Sequence, residues 1–200
     1  MIAIIIGGSF ISGTFYPNVW TVEKIEAEVH KKELNQVKLL GLREPEFEYT
    51  DKTSFLLATS KCVEYLNYTT DRLSRVPTSI IIAMAGVESG WGTSRFANEG
   101  NALFGVRTWD LKNVAHMKAK GNPDASWGVK KYKTKCQSVH DMIKILNRHP
   151  AYKEFRIERE KQLDSGKWNY RTLMVLMNAW STNPDYHEII LQAIVDNKLP

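Results

Sequence analysis

Glu88 has the setting most suited to chemistry in this sequence. It follows Ile80-Ile81-Ile82-Ala83-Met84-Ala85, a run that is apolar on every side, and a helix without a polar face belongs in a protein interior. Ile81 and Glu88 are seven positions apart, so on a helix they point within about 20° of each other, with Met84 on the same stripe. The spacing therefore predicts a carboxyl group presented along a hydrophobic face. Such a group loses solvation, which disfavours its charged form. A carboxyl held protonated near neutral pH can act as a general acid toward a glycosidic oxygen. The competing reading is structural, a cap or an ion pair with an interior arginine such as Arg95. Gly90 and Gly92 would end the helix and let backbone approach a ligand closely. Trp91, between them, offers a flat apolar face of the kind that packs on a sugar ring.

Other chemistries find less support. His30, His116, His140, His149 and His187 are dispersed, with no metal-ligand spacing, and no Cys-x-x-Cys pair exists. Neither a metal nor another cofactor is expected. Cys62 and Cys136 allow one disulfide but no framework, and Cys62 falls in an apolar helical pattern, where a buried free thiol is the simpler expectation.

The elements that must position Glu88 are mostly helical. Residues 19–40 carry Val22, Ile25, Val29 and Val37 on one stripe, with Gly41 and Pro45 as breaks. Residues 51–73 repeat the pattern through Phe55, Ala58, Cys62, Tyr65 and Leu66, and Asp51 is placed to cap them. Pro77 suits the first turn of the Glu88 helix. Residues 103–109 and 127–133 alternate like short strands around a Gly121-Asn122-Pro123-Asp124 turn, which predicts a small β-hairpin. Four further helical stretches come after it, at 138–146, 151–163, 169–180 and 184–196. The expected class is α+β, mostly α, with an N-terminal segment over 1–45 and one domain over 46–200. The opening Met1-Ile2-Ala3-Ile4-Ile5-Ile6-Gly7-Gly8 is apolar without a basic start. It reads as a degenerate secretion signal, or as a strand or arm that contacts a membrane or an assembly through residues 1–16.

Several strings resemble a known family. Val76-Pro77-Thr78-Ser79, then Glu88-Ser89-Gly90-Trp91-Gly92-Thr93-Ser94-Arg95-Phe96-Ala97, then Glu99-Gly100-Asn101-Ala102-Leu103-Phe104-Gly105 are similar to the bacterial glucosaminidase domain, glycoside hydrolase family 73, and within it to the Bax-like branch. Arg148-His149-Pro150-Ala151-Tyr152 and Trp180-Ser181-Thr182-Asn183-Pro184-Asp185-Tyr186 extend the likeness, which covers residues 52–199. The resemblance implies a lysozyme-like fold with a cleft between a helical lobe and a small β-lobe. It also implies hydrolysis of the β-1,4 bond after N-acetylglucosamine in peptidoglycan. Glu88 matches the family's catalytic acid, and Ser89, Trp91, Asn101, Phe104, Trp180 and Tyr186 are the implied substrate-binding residues, although core or helix packing competes as a role for Phe104 and Tyr186. The implied partner is the glycan strand rather than nucleic acid. The implied location is the cell envelope, periplasm or exterior, or alternatively a phage virion.

The match departs in three places. Glycosidases normally use two carboxylates, about 5–5.5 or 6.5–9.5 Å apart, yet the stretch where the family places a second glutamate holds only Asp124, with Asp110 at the loop's other end. If neither serves, the substrate's own N-acetyl group is the alternative nucleophile. Trp180 stands in place of a tyrosine, exchanging a hydroxyl for a stacking surface, and Ala102 replaces an asparagine. A lytic transglycosylase, or a wall-binding component with faded catalysis, are the other functions compatible with these features.

Composition narrows the field modestly. Of 200 residues, 43% are apolar and 24% charged, which excludes a disordered or fibrous chain. The net charge of +5 is a mild basic bias, and Lys112, Lys118, Lys120, Lys130, Lys131, Lys133 and Lys135 gather around the expected β-lobe. Such a rim would favour encounter with the carboxylates of a cell wall and weaken with salt.

Overall fold

The computed structural model describes residues 41–200 throughout, together with scattered helical positions between 24 and 39. The apolar start, the supposed contact segment 1–16 and most of the helical arm expected over 19–40 lie outside the described residues. Contacts divide the chain into Met1–Leu42 and Arg43–Pro200, and Glu88 belongs to the second unit.

Helix α1, Lys52–Thr69, starts where Asp51 closes a capping box with Ser54, each side chain bonding the other's backbone. Helix α2, Thr78–Ser89, carries the apolar run, with Pro77 just outside its first turn. Ile80, Ile81, Ile82 and Met84 are at most 2% exposed, and burying each stabilises the fold by about 1.5–3 kcal/mol. Gly90 ends the helix in the left-handed conformation at φ 59°, a position a side chain would strain. A short helix α3, Arg95–Gly100, comes next.

The chain then forms a small sheet of β1, Arg107–Thr108, β2, His116–Met117, and β3, Gly128–Lys130. β3 is central and antiparallel to both neighbours, with Arg107 opposite Val129 and His116 opposite Lys130. The expected hairpin is thus a three-stranded sheet. The added strand, β2, holds only two residues, too few for an alternation to register. Helix α4, Lys135–Arg148, and a turn of 3-10 helix, Pro150–Tyr152, lead into α5, Lys153–Ser165. The stretch expected as one helix over 169–180 is broken. Helix α6 covers Tyr170–Val175, and a separate 3-10 turn, Asn178–Trp180, succeeds it. Helix α7, Tyr186–Asp196, packs along α2 and α6, while α1 lies against α2 and α4.

Cys62 of α1 and Cys136 of α4 form a disulfide, Cα atoms 5.6 Å apart. The expected free thiol is therefore corrected. Both residues are fully buried on facing helices, and an apolar pattern cannot distinguish two packed thiols from one bridge.

Candidate active site

Glu88 sits in the last turn of α2, where the covering elements stop and a groove of about 560 Å³ opens. Its walls come from four places. They are Glu88 itself, the loop from Phe104 into β1, Ile145 and Tyr152, and the 3-10 turn with the residues after it. Phe104 is 3% exposed and meets Trp180 edge to face, ring centroids 6.4 Å apart at 89°.

Two donors converge on one oxygen of Glu88. Tyr186 donates its hydroxyl to Oε1 at 2.7 Å, and Trp180 donates its indole N–H to the same atom at 3.0 Å. Tyr186 is the first residue of α7 and Trp180 the last of the 3-10 turn, so two elements nearly a hundred residues downstream hold the carboxylate in place. Burial, then the charge of Glu88 and the hydrogen bond to it, push the Tyr186 hydroxyl well above the ordinary tyrosine range. It is a neutral donor throughout the physiological range. The exchange of tyrosine for Trp180 keeps a hydrogen-bond donor at this point as well as adding a ring. Tyr186 does more than pack helices.

Glu88 is not buried. Its residue is exposed to the open groove, which corrects the drying inferred from the Ile81–Met84–Glu88 stripe. The stripe lies on a helix covered on all sides, so its direction does not decide solvent contact. The end of the cover does. Arg95 is not its partner either; that guanidinium bonds Glu99 at 3.3 Å and the Lys118 carbonyl at 2.5 Å.

Other residues expected in the site lie elsewhere. Ser89 is 0% exposed and locked between the Ala85 carbonyl, at 2.6 Å, and the Gly92 N–H, at 2.8 Å. It ties off the helix end. Trp91 turns back at φ 56° and lays its ring on Gly86, where a Cβ would come within 2.3 Å of the ring. Lys52 covers the ring at 4.0 Å, and Trp91 lines a separate depression with Val87 and α7. Asn101 joins lobes, donating to the Tyr132 and Lys133 carbonyls at 3.1 Å each and accepting from Lys135 at 3.2 Å. The close approach at Gly92 is made by the Tyr49 and Phe55 rings rather than by a ligand. Ala102 is buried, its N–H bonded to the Phe96 carbonyl at 3.0 Å.

Asp124 is exposed in the turn before β3 and does not line the groove. Asp110 accepts from the Asn113 backbone and side chain at 3.1 Å, as a turn residue does. Glu88 is the only carboxylate among the described residues lining the groove. The lysine rim divides as well. Lys118 bonds the Ala125 and Trp127 carbonyls, Lys130 pairs with Asp141 at 2.9 Å and Lys135 holds Asn101. Lys112, Lys120, Lys131 and Lys133 stay exposed.

Sequence reasoning missed Trp109, 66% exposed on the groove wall, and Arg107 beside it, whose guanidinium lies 4.1 Å over the Trp127 ring. It also gave no role to Tyr152, although that residue closes one of the strings that carry the family resemblance. A helical wheel has no access to the first two, because β1 is only two residues long.

Among known proteins, the chain is 30% identical to protein bax of Escherichia coli (strain K12) over 132 residues, which cover 64% of this chain and 45% of that protein. It is 29% identical to the exo-glucosaminidase LytG of Bacillus subtilis (strain 168) over 126 residues, 59% of this chain and 43% of that one. The chain spans less than half the length of these curated relatives. The catalytic domain of the autolysin Auto from Listeria monocytogenes shares the fold, with a TM-score of 0.56 at 18% identity over 84% of this chain and 94% of that one. The profile described as mannosyl-glycoprotein endo-beta-N-acetylglucosaminidase matches residues 68–199, from the end of α1 through α7 and so across every element that frames Glu88. The chain belongs to this glucosaminidase family of glycosidases.

Proposed function

We propose that the chain cleaves the β-1,4 bond that follows N-acetylglucosamine in peptidoglycan, with Glu88 as general acid. The observation that carries this reading is a groove with one carboxylate, whose Oε1 accepts from both Tyr186 and Trp180. With Oε1 so engaged, Oε2 is the oxygen that carries the proton. A glycan seated in the groove displaces the water around Glu88 and supplies the dryness that the open groove lacks. Glu88 then protonates the departing oxygen, and the two donors receive the carboxylate that is left.

A groove with a single carboxylate among the described residues favours the substrate's N-acetyl group as nucleophile. Its carbonyl oxygen bonds to the anomeric carbon as the glycosidic C–O bond breaks, giving a cyclic oxazolinium. Water then opens this ring and returns a proton to Glu88. Asp124, outside the groove, has no part in this scheme. The same lone carboxylate would also serve a lytic transglycosylase, in which a muramoyl hydroxyl replaces water. Mass spectrometry of digested peptidoglycan separates the two: reducing N-acetylglucosamine ends are expected, and anhydro-muramoyl ends in their place would overturn the assignment.

The glycan is the partner, and the envelope or the cell exterior is the place of action. The Cys62–Cys136 bridge supports this setting, since disulfides persist in oxidising compartments.

A further inference from the structure

Beside the groove lies a second depression, an arm that shares one wall residue with it. Ile145, a wall of the groove, also lines this depression of about 340 Å³, formed with Asp141, Lys144, Arg148, His149 and Pro150. A second link lies beside it, the His149 ring resting against Tyr152 of the groove with centroids 5.8 Å apart.

The arm is cationic. Asp141, its one carboxylate, is already engaged by Lys130 at 2.9 Å and by the Tyr132 hydroxyl at 2.8 Å. Lys144 and Arg148 are exposed and have no carboxylate partner among the described residues. They stand four positions apart on α4, where like charges repel and weaken a helix. Arg148 complements the negative end of the helix from its last turn; Lys144 lies before that turn and gains little there. Helix stability therefore does not account for the pair, which leaves both charges free to meet an anion.

Resting on the reading of the groove as a peptidoglycan site, we infer that this arm receives the carboxylates of the peptide stem borne by a muramoyl residue next to the bond that is cut. The stem branches sideways from the glycan, and the arm lies to the side of the groove. Its carboxylates are the anions covalently nearest the reacting bond. The enzyme would thus prefer peptide-bearing strands to bare glycan.

The test uses the full chain carrying Glu88→Gln and sacculi freed of phosphate-bearing polymers. Binding is measured to these sacculi and to the same sacculi stripped of peptides by an amidase. Two exposed charge pairs predict a preference of about fivefold for the peptide-bearing form. Lys144→Gln with Arg148→Gln should abolish it, and Lys144→Arg with Arg148→Lys should keep it. Equal binding to both forms, or a preference that survives the double glutamine variant, would overturn the inference. Wild-type hydrolysis, assayed in parallel, separates the two ideas. Preferential binding without hydrolysis sustains the arm and overturns the glycosidase, whereas hydrolysis without preference does the reverse.

Discussion

At the scale of single residues, the site rests on how one carboxylate is held. Tyr186 is 8% exposed and its hydroxyl reaches Glu88 at 2.7 Å. A hydrogen bond to a charged group contributes about 1.5–3 kcal/mol, so Tyr186→Phe should lower kcat by about 10- to 100-fold. KM should hardly move, because Tyr186 does not line the groove. Steady-state turnover on purified peptidoglycan checks this, and unchanged kcat would show that the contact merely packs α7. Trp180→Phe keeps a ring against Phe104 while removing the N–H, and should cost less than Tyr186→Phe, its bond being the longer at 3.0 Å.

At the scale of elements, the disulfide between α1 and α4 closes a loop of sequence separation 74. Constraint of the unfolded chain on that scale is worth about 4 kcal/mol. The paired Cys62→Ser and Cys136→Ser variant should lose stability of that order in urea unfolding, and wild type under reductant should approach it. Coincident curves would mean that the bridge adds nothing. Helices set by capping and apolar pattern were legible: Asp51 caps α1 as its spacing suggested, and the all-apolar α2 lies at the centre. Pairings across long separations were not. Neither Cys62 with Cys136 nor Tyr186 with Glu88 follows from any local period. Trp91 shows the opposite failure. Its residue type suggested a sugar platform, yet the left-handed turn after Gly90 sends its ring back onto Gly86.

At the scale of the whole molecule, several tyrosines face burial together. Tyr49, Tyr132, Tyr152 and Tyr186 are all held above the ordinary range by burial first, with Asp141 adding to Tyr132 and Glu88 to Tyr186. The folded chain keeps these protons where the unfolded chain releases them, near the ordinary value of about 10. Their contribution to stability is intact below that pH and is lost progressively as pH rises above it toward the raised folded-state values. Wild type should therefore lose stability above about pH 10 more steeply than Tyr132→Phe, followed by chemical denaturation at stepped pH. Parallel decline in the two would remove Tyr132 from the explanation. The central claim lies in the groove where the molecule's distant parts meet. Glu88→Gln preserves the shape of an exposed side chain, and general acid catalysis typically supplies about 10²–10⁴ in rate. Release of reducing sugar from purified peptidoglycan by this variant should fall at least about 100-fold while binding to sacculi persists. Release at the wild-type rate would contradict the account.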